Sequence, residues 1–127
     1  MRHDVLVGYL QAVEQAITDL PSIHVEQYQE EWLTPMRINL RIRVRSANGG
    51  LLEINEAVVV ESGILVWLGY RYHCQDAQNR LVFRYDDTPH FPDLPSFPHH
   101  KHLLDHVIAA EKSTVLQVIT ECGRLIL

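Results

Sequence analysis

From Met36 to Val44 every second residue is apolar (Met36, Ile38, Leu40, Ile42, Val44), and Arg37, Asn39, Arg41, Arg43 and Arg45 interleave with them. Side chains of an extended strand point alternately to opposite faces, so this period of two predicts a strand with one face buried and one wet. A half-buried strand needs hydrogen-bonded neighbours, and the flanking sequence provides them. Asn48-Gly49-Gly50 offers the positive φ values of a tight hairpin and leads into Leu52, Ile54, Val58 and Val60. Ser62-Gly63 turns the chain again. Residues 64–74 then place Ile64, Val66, Leu68, Tyr70, Tyr72 and Cys74 on one face, with Arg71 and His73 on the other. After a polar turn, Leu81, Phe83 and Tyr85 alternate with Arg80, Val82, Arg84 and Asp86, and residues 23–31 alternate weakly enough to form a first strand.

Two helices complete the reading. Leu6, Tyr9, Leu10, Val13, Ile17 and Leu20 recur at three- and four-residue spacing and predict a helix over about residues 4–19, with Asp4 as its cap and Pro21 as its stop. Near the other end, Ser113 is the expected cap of a helix carrying Val115, Leu116, Val118, Ile119, Cys122, Leu125 and Ile126. The expected fold is α+β: an antiparallel sheet of four to five meandering strands flanked by an N-terminal and a C-terminal helix. One domain, 1–127, is expected, with an ordered Pro/His-rich loop over 86–112. A hydrophobic fraction of 46% and a charged fraction of 21% are those of an ordinary globular chain. No apolar run approaches the roughly 20 residues of a membrane span, and the first residues do not read as a signal peptide. Cys74 and Cys122 fall on apolar faces, with no CxxC pair, and are expected as reduced core thiols in a cytoplasmic protein.

The net charge of −5 argues against a protein coated in positive charge, but its distribution is uneven. Residues 1–35 hold one arginine against six acids; residues 36–45 hold Arg37, Arg41, Arg43 and Arg45 and no acid. A local basic face is compatible with that pattern. Arginines on one sheet face hold phosphates, or they pair with acids on neighbouring strands such as Glu26 or Glu53; both readings stand at this point.

The run Arg84–His102 packs four of the eight histidines and four of the six prolines into nineteen residues. Proline fixes φ and removes a donor, so the run is expected to be a braced loop rather than a helix or a central strand. Arg84 and Asp86 share a strand face about 7 Å apart, either as a structural ion pair or as part of a site. His99 and His100, being adjacent, should diverge, whereas His100 and His102 share a side if extended. Histidine, arginine and an acid converging in one place are the groups that cleave RNA without a metal: one histidine takes the 2′-hydroxyl proton, another protonates the leaving oxygen, and a cation stabilises the phosphorane. The catalytic candidates are therefore His90, His100, His102 and Asp86. Arg84, Lys101, Arg41, Arg43, His73 and His99 are the candidates for phosphate or RNA. The histidine spacing matches no standard zinc signature, so no metal or other cofactor is expected, and a metal-binding hydrolase is the alternative.

The pattern YRYH–x9–FRYDDTPH–x8–HHKH, with the intervening Phe97-Pro98, resembles the TumE-type toxin family of toxin–antitoxin modules. The resemblance runs from about Leu52 to His102, on Tyr72, His73, Arg84, Tyr85, Asp86, Pro89, His90 and the Pro98–His102 segment. Asp87 stands where such sequences carry Asn. The resemblance implies a small cytoplasmic toxin partnered by a DNA-binding, helix-turn-helix antitoxin. The residues themselves, not the resemblance, make RNA the expected target; apolar edge and face content suggests a homodimer, because edge strands need cover, and the rival is a non-catalytic interaction module that docks through the histidine loop.

Overall fold

The computed structural model describes residues 1–126; Leu127, the last residue assigned to the domain, lies outside them. Helix α1 (Asp4–Thr18) is followed by strands β1 (Ile23–Thr34), β2 (Arg37–Ser46), β3 (Leu51–Glu61), β4 (Ile64–Gln75), β5 (Leu81–Asp86), β6 (His100–His102) and β7 (Val107–Ala109), and then by α2 (Val115–Leu125). The strands form one antiparallel sheet in sequence order, β1 to β7. The α+β architecture with a helix at each end is as expected, but the sheet has seven strands rather than four or five. The two additional strands come from the Pro/His-rich segment. Prolines 89, 92, 95 and 98 do stay out of the ladder, yet the ends of the run lie in β5 and in β6, which is hydrogen-bonded on both sides. Three residues free of proline are enough to pair.

Both helices pack on one face of the sheet. Leu6, Leu10, Val13 and Ile17 of α1 and Val115, Val118, Ile119 and Cys122 of α2 are buried against Ile38, Leu40, Ile42, Ile54, Tyr72 and Phe83. The caps differ from expectation. His3 rather than Asp4 caps α1, its Nδ1 accepting from Val5 N–H, and Thr114 rather than Ser113 caps α2 in a reciprocal box with Gln117. The register of β4 also departs from simple alternation. Ala57 pairs with Gly69 and Val58 with Trp67, so Leu68 is an extra residue at a bulge. The bulge inverts the strand, turning Leu65 and Trp67 to the helices and leaving Ile64 and Leu68 exposed.

Cys74 of β4 and Cys122 of α2 form a disulfide with Cα atoms 6.1 Å apart. This corrects the expectation of free thiols: both residues lie on core-facing positions where α2 crosses β4, and their Cα separation falls within disulfide range. Beneath α1, Glu56 is buried and accepts from Tyr9 Oη (2.6 Å), Trp67 Nε1 (2.8 Å) and Tyr72 Oη. Burial and the neighbouring carboxylate push the Tyr9 and Tyr72 hydroxyls far above their ordinary range. Lys112 lies over the Trp67, Tyr70 and Tyr72 rings, and burial lowers its pKa. Glu56 and its three donors thus help to hold α1 to the sheet.

Candidate functional site

The face of the sheet away from the helices is polar, and the ladder registers define two rows across it. One reads Gln29, Arg41, Asn55, Arg71, Asp86, His100; the other reads Gln27, Arg43, Glu53, His73, Arg84, His102. Neighbouring strands lie about 4.8 Å apart, so each row spans roughly 24 Å. The arginine strand and the histidine segment therefore belong to one continuous surface.

At one end of the rows three side chains converge. His100 Nε2 lies 2.9 Å from Asp86 Oδ1, His102 Nε2 lies 3.4 Å from Asp86 Oδ2, and the two histidine Nε2 atoms are 3.0 Å apart. The local sequence explains the geometry. His100 and His102 are two apart on a strand and so share a face, and β5–β6 register sets Asp86 directly opposite His100. Asp86 Oδ1 also accepts from Thr88 N–H (3.0 Å), the Asx-type turn that starts the loop. His100 Nδ1 faces the carbonyl of Pro98 at 3.0 Å, an acceptor, so Nδ1 is the donor. The loop folds back over the centre: Phe91 packs edge-on against both rings, and Ser96 Oγ accepts from the N–H of Ala110, the residue after β7, tying the loop to the end of the sheet. His100 is 1% exposed, whereas a quarter of the His102 side chain reaches solvent. Burial lowers the His102 pKa, partly opposed by the Asp86 charge.

The other candidates divide between the two faces. Arg84 does not pair with Asp86 as one reading had it; its Nε donates to His73 Nδ1 (3.2 Å), while His73 Nε2 bonds Gln75 Oε1 (2.7 Å). Burial, with the Arg84 charge, lowers the His73 pKa. His90 is exposed on the rim, its ring against Phe91. His99 and Lys101 point to the helix side, away from the centre. His99 Nδ1 bonds Tyr70 Oη (2.8 Å), and Lys101 Nζ pairs with Glu121 (2.7 Å) over the Tyr85 ring. Strand alternation alone implies this, since whatever places His100 and His102 together sends the odd positions to the opposite face.

Among the arginines, Arg43 is held by Glu26 (2.7 Å) and Glu53 (3.1 Å), and Arg45 by Glu26 (3.1 Å), so the cross-strand pairing reading holds for these two. Arg41 and Arg71 are exposed and make no ion pair among the described residues. They line a cleft of about 430 Å³ together with Ala57 and Gly69, Gln29, Asn39 and Asn55, and Glu31, whose carboxylate accepts from Asn39 Nδ2 (2.9 Å). Arg71 was not among the candidate site residues, although its spacing of two from His73 places it on the same face. Phe91 was missed too, because nothing local to a Phe-Pro pair indicates which surface its loop will cover.

By fold and site, the chain is a small two-layer α+β protein with an open polar sheet face and an acid–histidine centre at one end of it. A family model described as Toxin TumE matches residues 13–126, nearly the whole chain, so the chain belongs to the TumE toxin family. It is thus a toxin component of a toxin–antitoxin system, and an antitoxin is its partner. No curated protein and no solved structure matches it. No helix among the described residues is long and apolar enough to cross a membrane.

Proposed function

We propose that this toxin acts by cleaving RNA in the cytoplasm, at the centre formed by Asp86, His100 and His102. The observation that carries the reading is the continuity of that centre with the cleft between Arg41 and Arg71, through the Arg71–Asp86 pair in the β4–β5 ladder. Two arginines free of carboxylates are available to phosphates, and a narrow strip lined by Ala57 and Gly69 admits a backbone. A strand lying along the row would reach His102, the one ring of the centre open to solvent.

Roles follow from burial. His100 is enclosed and both of its nitrogens are engaged, so it is a positioning residue, holding Asp86 and His102. His102, with Asp86 behind it and its pKa lowered, is suited to accept the 2′-hydroxyl proton at neutral pH. Arg84, opposite His102 in the β5–β6 ladder, stands beside it to stabilise charge on the phosphorus oxygens, and Arg71, opposite Asp86 on β4, lies further along the face toward the cleft. His90, on the rim beyond Phe91, is the remaining histidine open to substrate. The helix-turn-helix antitoxin would neutralise the toxin by covering this face.

Incubating the purified protein with total RNA tests the proposal. Wild type should cleave and Asp86→Asn should not, while Lys101→Met, on the opposite face, should cleave as wild type does. No cleavage by wild type would favour a non-catalytic docking module instead.

A further inference from the structure

We infer that Asp86, His100 and His102 form a binding site for one divalent transition-metal ion, with Zn²⁺ as the reference ion. The inference shares the location of the proposed RNA centre but stands on separate observations. The first is geometric. Zinc sits about 2.0–2.2 Å from nitrogen and oxygen donors, so neighbouring donors lie roughly 3.0 Å apart at right angles and roughly 3.4 Å apart at a tetrahedral angle. His100 Nε2 lies 2.9 Å from Asp86 Oδ1 and 3.0 Å from His102 Nε2, and His102 Nε2 lies 3.4 Å from Asp86 Oδ2, so an ion between them would meet both carboxylate oxygens; one ligand atom from each residue lies within 4.8 Å of the others. These three residues are the group of potential ligands that converges in this way among the described residues.

The second is the polarity of the hydrogen bonds. The Pro98 carbonyl takes the Nδ1 proton of His100, so Nε2 is the ring atom turned toward a carboxylate oxygen and a second imidazole nitrogen. Three such atoms facing one another need a positive centre between them, and a metal ion satisfies all three at once where a proton serves one pair. The third is the surrounding support. A metal-binding histidine ordinarily gives its other N–H to a carbonyl or carboxylate, and the ligating carboxylate is itself hydrogen-bonded; Pro98 and Thr88 N–H fill those two roles. Phe91 walls the site on one side, and the partly open His102 side leaves coordination positions free. Two histidines and one carboxylate with open positions are the donor set of hydrolytic zinc and non-haem iron sites. With an ion bound, His102 becomes a ligand and the ion supplies the charge that a phosphate oxygen would meet.

The test uses the full chain, stripped with chelator and titrated with Zn²⁺ by calorimetry, and in parallel with Co²⁺ followed by its visible absorption. One saturable site is expected. Binding should weaken at least about tenfold in Asp86→Asn and in His102→Gln, the latter on a partly exposed ring whose loss leaves the fold intact by circular dichroism. Absence of a stoichiometric site in wild type, or equal binding by His102→Gln, overturns the inference. RNA cleavage by the stripped protein in chelator, with no ion bound by wild type, leaves the RNA reading standing and removes the metal. A saturable site with no cleavage of RNA under any metal does the reverse.

Discussion

Arg41 and Arg71 give the sharpest handle on the RNA reading, because their neighbours Arg43 and Arg45 act as built-in controls. The first two stand two strands apart, about 10 Å, and carry no carboxylate partner among the described residues. Each should neutralise one phosphate. Single-strand binding loses about 0.7 in the slope of log K against log salt for each contact removed, so Arg41→Ala/Arg71→Ala should flatten the slope by about 1.4. Between roughly 50 and 200 mM salt, that difference makes the wild-type affinity fall about sevenfold more than the variant's. Arg43 must first give up Glu26 and Glu53, so Arg43→Ala should change the slope far less. Fluorescence anisotropy with a labelled, non-cleavable single-stranded oligonucleotide, read across a salt series, makes the measurement. An unchanged slope in the double variant, or an equal loss in Arg43→Ala, would refute the cleft as the path of the backbone.

Other consequences follow from the packing. Replacing Glu56 with Leu strands the Tyr9, Trp67 and Tyr72 donors and should cost at least about 3 kcal/mol, whereas Glu56→Gln keeps an acceptor and should cost less; urea unfolding separates the two. The Cys74–Cys122 disulfide spans a sequence separation of 48 residues, so the chain-entropy account gives it about 4 kcal/mol. At about 2.1 cal/mol/K per residue over 127 residues, reduction should lower Tm by about 15 °C in calorimetry, and an unchanged Tm would show the bond to be idle. His73 is buried with a lowered pKa, so the unfolded chain takes up a proton first as pH falls below about 6.5, and stability declines there. In metal-free protein, His73→Gln should show a smaller fall in Tm between about pH 7 and 5.5 than wild type; an equal fall would put the acid sensitivity elsewhere.

The parts of the molecule legible in sequence were those with long uninterrupted periods. The α1 stripe and the β2 alternation each repeat often enough to name both the element and its buried face. The bulge at Leu68 was not legible, because one extra residue within an apolar run leaves the composition unchanged while inverting the strand. Strands β6 and β7 are three residues each, and their existence depends on β5 offering a free edge rather than on their own propensity. The site was half legible for the same reason. Parity puts His100 and His102 on one face, and equally places Lys101 and His99 on the helix side. What no local pattern could supply was the β5–β6 register, which brings Asp86 against His100 across a thirteen-residue gap, or the fold of the loop that sets Phe91 on both rings. The disulfide is a matter of where α2 crosses the sheet, which the spacing of two cysteines does not encode.

The central claim is that the Asp86, His100 and His102 centre cleaves RNA bound along the arginine face. Its most direct test is the cleavage rate of a defined single-stranded RNA by wild type and by His102→Gln, each first shown to be folded by circular dichroism. Cleavage by wild type, reduced at least about a hundredfold in His102→Gln, is the result predicted from removing a proton-accepting or ion-binding group at the reacting atoms. Intact RNA with wild type, or equal rates for the two proteins, would contradict the claim.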